Sequence, residues 1–146
     1  IGQGRLSAGL VDQLMVAKLT EVPASYFQEV HDEYEKRRDL LYKGLKEIPG
    51  VVIPKPEGAF YAIVGLPVKD AEHFCQWLLT DFRDHRETVM LAPAAGFYTS
   101  TTLSTGATPG KGRNEVRIAY VLNTKALTRC IELLRIALTR YNSEKL

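Results

Sequence analysis

The sequence predicts an α/β fold, an α+β layer in which a small, mostly antiparallel sheet is covered by helices and preceded by a long connecting helix. Three observations lead to this prediction. An apolar stripe at helical spacing runs down to the Pro49-Gly50 stop, the chain after Gly50 changes to short apolar runs typical of strands, and two later segments return to the helical period. The predicted order is long helix, two strands, helix, two strands and a final helix.

Four helices are predicted from apolar spacing and capping residues. A short helix spans 8–21, and the long helix follows Pro23, which can open a helix because the first turn does not need its missing N–H. The apolar stripe of the long helix consists of Tyr26, Val30, Tyr34, Leu41, Leu45 and Ile48. Asp70 is a residue type typical of the N-cap of the third helix, and Asn123 or Thr124 is typical of the N-cap of the fourth.

Strands are predicted at 51–53, 59–64, 88–92 and 115–122, where apolar and β-branched residues run together or alternate with polar ones. The segment 99–112 is rich in Ser, Thr and Gly and is predicted to be a flexible loop. Its glycines do not predict a phosphate-binding loop, because the strand–loop–helix context and the G-K-[ST] ending are both missing.

The composition excludes several classes of function. The chain has 146 residues, enough for one domain of ordinary size, with 19 Lys and Arg against 17 Asp and Glu. The resulting net charge of +2 does not indicate a nucleic-acid or membrane partner. Cys75 and Cys130 fall on apolar helix faces without metal-ligand spacing, so no metal site is predicted. Composition favours a soluble, cytoplasmic domain.

Arg117 is a lone charge inside a β-rich run, between Val116 and Ile118. One interpretation is an edge strand whose polar face meets water. The other is an arginine that projects from a rigid strand and binds a carboxylate or phosphate in a planar, two-pronged contact. Periodicity alone does not separate the two.

Three motifs follow one another along the chain: Pro-Glu-Gly-Ala-Phe-Tyr at 56–61, Pro-Ala-Ala-Gly-Phe at 93–97 and Val-Arg-Ile at 116–118. This series resembles the C-terminal part of the aspartate aminotransferase-like enzymes, the fold type I, class I/II aminotransferases that depend on pyridoxal 5'-phosphate. The resemblance runs from about Gln3 to Tyr141. It implies an enzyme that transfers an amino group from an L-amino acid to a 2-oxo acid, and a homodimer.

The resemblance also implies roles for individual residues. Arg117 matches the arginine that binds the α-carboxylate of the substrate in this family. Gly58 and Phe60 match a segment that borders the substrate pocket. Arg5 falls near a segment that reaches the active site of the neighbouring subunit.

The family's catalytic lysine, which forms a Schiff base with the cofactor, has no counterpart among the nine lysines of this chain. The resemblance therefore implies that 1–22 belongs to or faces a missing large domain, that 23–49 is the connecting helix, and that 50–146 is the small domain. On this interpretation the chain alone is inactive, holds no cofactor or catalytic residue, and has the large domain as its partner. The alternative is a non-catalytic α/β module that binds a small molecule or another protein.

Overall fold

The computed structural model describes residues 8–98 and 112–144, and the chain divides between Glu33 and Tyr34 into two compact units. Two predictions from the sequence fall outside the described residues. One is the position of Arg5, and the other is the flexible loop, of which only Gly112 is described.

The first unit contains helix α1 (Leu10–Val16), a 3₁₀ turn (Leu19–Glu21) and the start of helix α2 (Ala24–Lys46). The predicted helix at 8–21 was therefore too long, since two short pieces occupy its place. Helices of this length are marginal in water unless packing stabilises them. None of the described residues of this unit is buried. Its exposed large apolar side chains are Leu10, Val11, Leu14, Met15, Val16, Leu19, Tyr26, Phe27 and Val30.

The second unit contains the rest of α2 and two further helices, α3 (Ala71–Thr80) and α4 (Thr124–Ser143). Both predicted caps are confirmed. The carboxylate of Asp70 accepts hydrogen bonds from the backbone N–H groups of Glu72 and His73 at 2.9 and 3.1 Å. The side chain of Asn123 accepts one from the backbone N–H of Ala126 at 2.9 Å.

Three strands form one antiparallel sheet in the order β1 (Tyr61–Gly65), β3 (Glu115–Ala119), β2 (Ala92–Pro93). The last strand in the sequence therefore lies in the centre of the sheet. Arg117 is paired on both sides, opposite Ile63 of β1 on one side and opposite Ala92 of β2 on the other. The predicted class of fold, a small antiparallel sheet with helices, is confirmed.

None of the four predicted strands keeps its predicted bounds: the one at 59–64 spans Tyr61–Gly65, and the one at 115–122 ends at Ala119. The segment 51–53 contributes only an isolated bridge between Val52 and Gly65. Pro54 and Pro56 follow it directly, and proline removes the donor that a ladder needs. The segment 88–92 pairs with β3 only from Ala92 onward.

The core of the second unit lies on one face of this sheet. Strand residues that alternate with Arg117 point into it, and α2, α3 and α4 supply the other side. Its largest fully buried side chains include Phe74, Phe82, Leu45, Leu78 and Val116. The helices cover one face, and the opposite face of the three strands carries the side chain of Arg117. Within the described residues, no helix is both long enough and apolar enough to cross a bilayer.

Candidate functional site

Arg117 lies in the middle of the central strand, on the face turned away from the core. Burial alternates along β3, with Val116 and Ile118 buried and Arg117 between them half-buried. This alternation is the ordinary consequence of the two-residue period of a strand. The sheet therefore holds the backbone of Arg117 on both sides and leaves the side chain on the open face. The edge-strand interpretation of Arg117 is wrong, since β3 is paired along both edges.

Two aromatic rings flank the guanidinium of Arg117. Its central carbon lies over the ring of Phe97 at 4.7 Å from the centroid and over the ring of Tyr61 at 5.2 Å. Tyr61 comes from β1, and Phe97 comes from the 3₁₀ turn at Ala95–Phe97 that follows β2. One ring thus reaches the arginine from each side of the central strand. Each such contact contributes about 0.5–1 kcal/mol at an exposed site.

The nearest carboxylate along the strand has another partner. Glu115 lies on the same face of β3 as Arg117, and the hydroxyl of Tyr98 donates a hydrogen bond to its Oε2. This hydrogen bond is also the main cause that raises the pKa of Tyr98. Among the residues that the structure describes, the side chain of Arg117 makes no hydrogen bond or ion pair, so its N–H groups are available to an anion.

Gly112 makes room for Tyr98. A Cβ at this glycine would lie 2.3 Å from the ring carbon Cε2 of Tyr98, and its φ of +78° is in the left-handed region. A side chain at this position is therefore disfavoured twice, by the clash with the ring and by the strain of a left-handed backbone. The glycine lets the ring approach closely enough to reach Glu115.

The segment that leads into β1 is held by Tyr120. Its one hydroxyl hydrogen is shared between the carbonyl oxygen of Ala59 at 2.9 Å and that of Gly58 at 3.3 Å. Its backbone N–H donates to the carbonyl oxygen of Phe60 at 2.9 Å. Tyr120 is only 1% exposed, and burial is the main cause that raises its pKa. The buried tyrosine thus fixes three consecutive carbonyl groups of an exposed segment.

Within the described residues, the structure connects Phe60 to Arg117 only through Tyr61. The ring of Phe60 packs edge-to-face on Tyr61 at 5.4 Å, and Tyr61 in turn contacts Arg117. Gly58 is exposed, with no atom within 4 Å of where a Cβ would lie. Arg5 is outside the described residues, so its proximity stays a prediction.

Sequence reasoning missed the contacts around Arg117 rather than Arg117 itself. Phe97 and Tyr61 were part of the motifs, but nothing in their spacing indicated that both rings meet one guanidinium. Tyr98 and Glu115 are 17 positions apart, with an undescribed segment between them. A sequence signal was present only for Tyr120, whose alternation with Ile118 and Val116 predicts a ring on the buried face.

This arrangement suits recognition of a small carboxylate. A guanidinium offers a planar set of donors that matches a carboxylate in two parallel hydrogen bonds. The guanidinium carbon lies over both rings, and the guanidinium N–H groups have no hydrogen-bond partner among the described residues. A carboxylate would therefore accept hydrogen bonds from Arg117 without displacing a protein group among the described residues.

The second unit also contains an apolar cavity of about 390 Å³. Leu41 and Leu45 of α2, Ile131 and Leu134 of α4, and Ile118 of β3 are among the residues that line it, and no lining side chain is charged. Ile118 is on the opposite face of β3 from Arg117. The cavity lacks a charged partner for a carboxylate, so it is distinct from the site at Arg117.

Comparison with known proteins identifies relatives along nearly the whole chain. The family model described as "Aminotransferase class I and II" matches residues 1–134. An aspartate aminotransferase from Bacillus subtilis is 31% identical over 117 residues, which cover 75% of this chain and 25% of that protein. An aspartate aminotransferase from Pyrococcus horikoshii is 30% identical over 103 residues, covering 68% of this chain and 22% of that protein.

Solved structures of aminotransferases also superpose on this chain. The aspartate aminotransferase from Rhizobium meliloti superposes with a TM-score of 0.60 at 27% identity, covering 82% of this chain and 28% of that one. An α-aminoadipate aminotransferase from Thermus thermophilus has a TM-score of 0.73 over 97% of this chain and 34% of its own, at 20% identity, which shows likeness of fold alone. This chain spans about a quarter of the length of the curated relatives it matches.

Proposed function

This chain belongs to the class I and II aminotransferase family, and we propose that it forms the C-terminal part of a pyridoxal phosphate-dependent aminotransferase of the aspartate aminotransferase type. In the complete protein, Arg117 binds the α-carboxylate of the amino-acid substrate, and then that of the 2-oxo acid. The segment at Gly58 and Phe60 borders the same pocket. The complete protein is a cytoplasmic homodimer, and Arg5 reaches toward the partner subunit's active site.

The observation that carries this proposal is the environment of the Arg117 guanidinium. Its guanidinium lies on the open face of a sheet, flanked by two rings and without a carboxylate partner among the described residues. No protein group in the described part of the chain takes the N–H donors of Arg117, which supports a carboxylate ligand. Binding through two parallel hydrogen bonds would orient the substrate's Cα–H bond, which is the bond that transamination must activate.

The described residues do not fit pyridoxal phosphate. The cofactor needs a lysine that is nucleophilic at neutral pH, and such lysines are desolvated or lie beside another cation. All seven described lysines are exposed: Lys18, Lys36, Lys43, Lys46, Lys55, Lys69 and Lys125. We therefore assign no step of the chemistry through the cofactor to this chain. In our proposal, the Schiff-base lysine and the cofactor's other ligands belong to a large domain outside it, and 1–22 faces that domain while 23–49 connects to it.

Substitution of Arg117 in the complete protein tests the proposed role. Arg117→Ala should lower kcat/KM for aspartate with 2-oxoglutarate by about 100-fold or more, because hydrogen bonds to charged groups contribute about 1.5–3 kcal/mol each. Arg117→Lys should also be poor, since a point charge does not reproduce the planar fork. Absorbance titration should show unchanged cofactor affinity. A near-wild-type kcat/KM in Arg117→Ala would reject the role.

The chain by itself provides the second test. Pyridoxal phosphate added to the purified 146-residue chain should form only weak, reversible adducts with exposed lysines, and aspartate with 2-oxoglutarate should give no turnover. A stoichiometric Schiff-base spectrum, or measurable transamination, would contradict the assignment of the cofactor site to another domain.

A second candidate function is supported by the apolar cavity of the second unit. A stand-alone module that binds a small molecule would use this cavity, and its uncharged lining suits an apolar ligand rather than an amino acid. Binding of an apolar fluorescent probe that is unaffected by Arg117→Ala would favour this function if the kinetic test of Arg117 also failed.

A further inference from the structure

We propose that Tyr61 and Phe97 are positioning residues that hold the guanidinium of Arg117 ready for a carboxylate, an inference that rests on the proposed function of Arg117. The two contacts that lead to it are those of the Arg117 guanidinium carbon with the rings, 5.2 Å from Tyr61 and 4.7 Å from Phe97. Neither aromatic residue is assigned a contact with substrate.

The position of the two rings in the sheet suits this role. Tyr61 is opposite Ala119 in the register, so it is the diagonal neighbour of Arg117 across the β1–β3 pair. Diagonal neighbours on one face are within reach of aromatic and long side chains. Phe97 follows β2, whose Ala92 is opposite Arg117 on the other side. Both rings are thus supported by strands that pair directly with the strand of the arginine.

The kind of contact matters as much as its position. A free arginine side chain has many rotamers, and binding a ligand through it requires most of them to be given up. A protein carboxylate would also fix the side chain, but it would occupy the same N–H donors that the substrate needs. An aromatic ring attracts the cation through its π-electrons and leaves those donors unpaired. The rings therefore restrict Arg117 without competing for its hydrogen bonds.

The exposure of the rings is consistent with a supporting role. Phe97 is 55% exposed and Tyr61 is 41% exposed, and neither belongs to the core of the second unit. Removing either ring should therefore leave the fold intact. A loss of function in such a variant would come from the arginine and not from unfolding.

The experiment uses Phe97→Leu and Tyr61→Leu in the complete aminotransferase. Each should raise KM for aspartate with kcat within about twofold of wild type, and should lower kcat/KM by about two- to fivefold. Tyr61→Phe keeps the ring and should restore the wild-type values. Tyr42→Leu is the matched control, because it removes a ring from another cation contact, that of Lys46 at 5.6 Å, and both residues lie on α2 rather than on the sheet.

A double-mutant cycle separates positioning from a general structural effect. In an Arg117→Ala background, Phe97→Leu should change kcat/KM by less than about twofold, because the ring acts only through the arginine. An equal loss in both backgrounds, a fall in kcat, or an effect of only one of the two rings would overturn the inference. If Arg117→Ala itself has no effect, the proposed function fails. If Arg117→Ala is impaired and neither ring variant is, the positioning role alone fails.

Discussion

The hydroxyl of Tyr120 donates a hydrogen bond of 2.9 Å to the carbonyl oxygen of Ala59, and Ala59 has a φ of 60°. A non-glycine residue in the left-handed region costs about 1–2 kcal/mol. The buried hydroxyl therefore holds a strained residue in the middle of the segment that precedes β1. Phe60 follows Ala59 directly, so the backbone direction at Phe60 depends on the hydrogen bond from Tyr120.

Tyr120→Phe tests this relationship. Removing the hydroxyl should lower the free energy of unfolding of the chain by about 1 kcal/mol, the usual net contribution of one hydrogen bond. The measurement is urea denaturation followed by circular dichroism. Tyr42→Phe removes a hydroxyl from a half-buried ring of α2 and serves as the control. Equal stability of Tyr120→Phe and wild type would mean that the strained segment does not need this hydrogen bond.

Gly112→Ala should be more damaging than an ordinary glycine substitution. The new Cβ would meet the ring of Tyr98 at 2.3 Å, and the backbone is left-handed at φ +78°. The conformational cost alone is about 1–2 kcal/mol, and displacement of the ring breaks its hydrogen bond to Glu115. Gly96→Ala is the matched control, because a Cβ there has no atom within 4 Å. Thermal denaturation that gives the same loss for both variants would contradict the prediction.

Asp70 should contribute a pH-dependent part of the stability. The hydrogen bond from the backbone N–H of His73 is the main cause that lowers the pKa of Asp70 in the folded chain. The contribution is therefore complete above the unfolded pKa of about 3.9, and it is lost as the pH falls through the lower, folded pKa.

Two variants separate the cap from its charge. Asp70→Ala should lower the free energy of unfolding at pH 7 by about 0.5–2 kcal/mol, because two backbone N–H groups lose their acceptor. Asp70→Asn keeps an acceptor, so it should lose less at pH 7 and should approach wild type in acid. Urea denaturation at pH 7 and at pH 3 measures the difference. An Asp70→Asn difference that is independent of pH would rule out the charged cap.

The exposed apolar side chains of the first unit should drive self-association of the isolated chain. Contiguous apolar surface of more than a few hundred Å² is rare on monomeric proteins. Leu14 is 62% exposed and is one of nine such residues in this unit, so Leu14→Glu should shift light scattering toward the mass of a monomer. Met90→Glu, at an 80% exposed position of the second unit, should not. A wild-type chain that is monomeric at high concentration would contradict the prediction.

The helices of the second unit were predictable because their signals are local. Asp70 and Asn123 are capping residues whose partners lie two or three positions away, and the apolar stripes of α3 and α4 repeat at the helical period. The placement of Arg117 on a strand face was predictable for the same reason. Alternation with Val116 and Ile118 required no knowledge of the rest of the chain.

The contacts that define the surroundings of Arg117 depend on residues far apart in the sequence. The centre of the sheet is taken by its last strand, so Tyr61 and Phe97 meet Arg117 only after β1 and β2 have paired with β3. The order of strands is a tertiary property that periodicity does not contain. The strand predicted at 51–53 failed for a local reason instead, because Pro54 and Pro56 follow it and only Val52 bridges to Gly65.

The central place of β3 has a consequence for how firmly Arg117 is held over time. Proteins open locally at edges and ends far more often than they unfold as a whole, and amide hydrogen exchange reports the difference. β2 has two residues and lies at an edge, whereas all five residues of β3 pair with β1 and only Val116 and Arg117 pair with β2 as well. The amides of Val116 and Ile118, which face β1, should therefore exchange only when the second unit unfolds, whereas the amide of Arg117 faces β2 and should exchange sooner. Held by these two neighbours, the arginine would then keep its backbone position for as long as the fold itself persists.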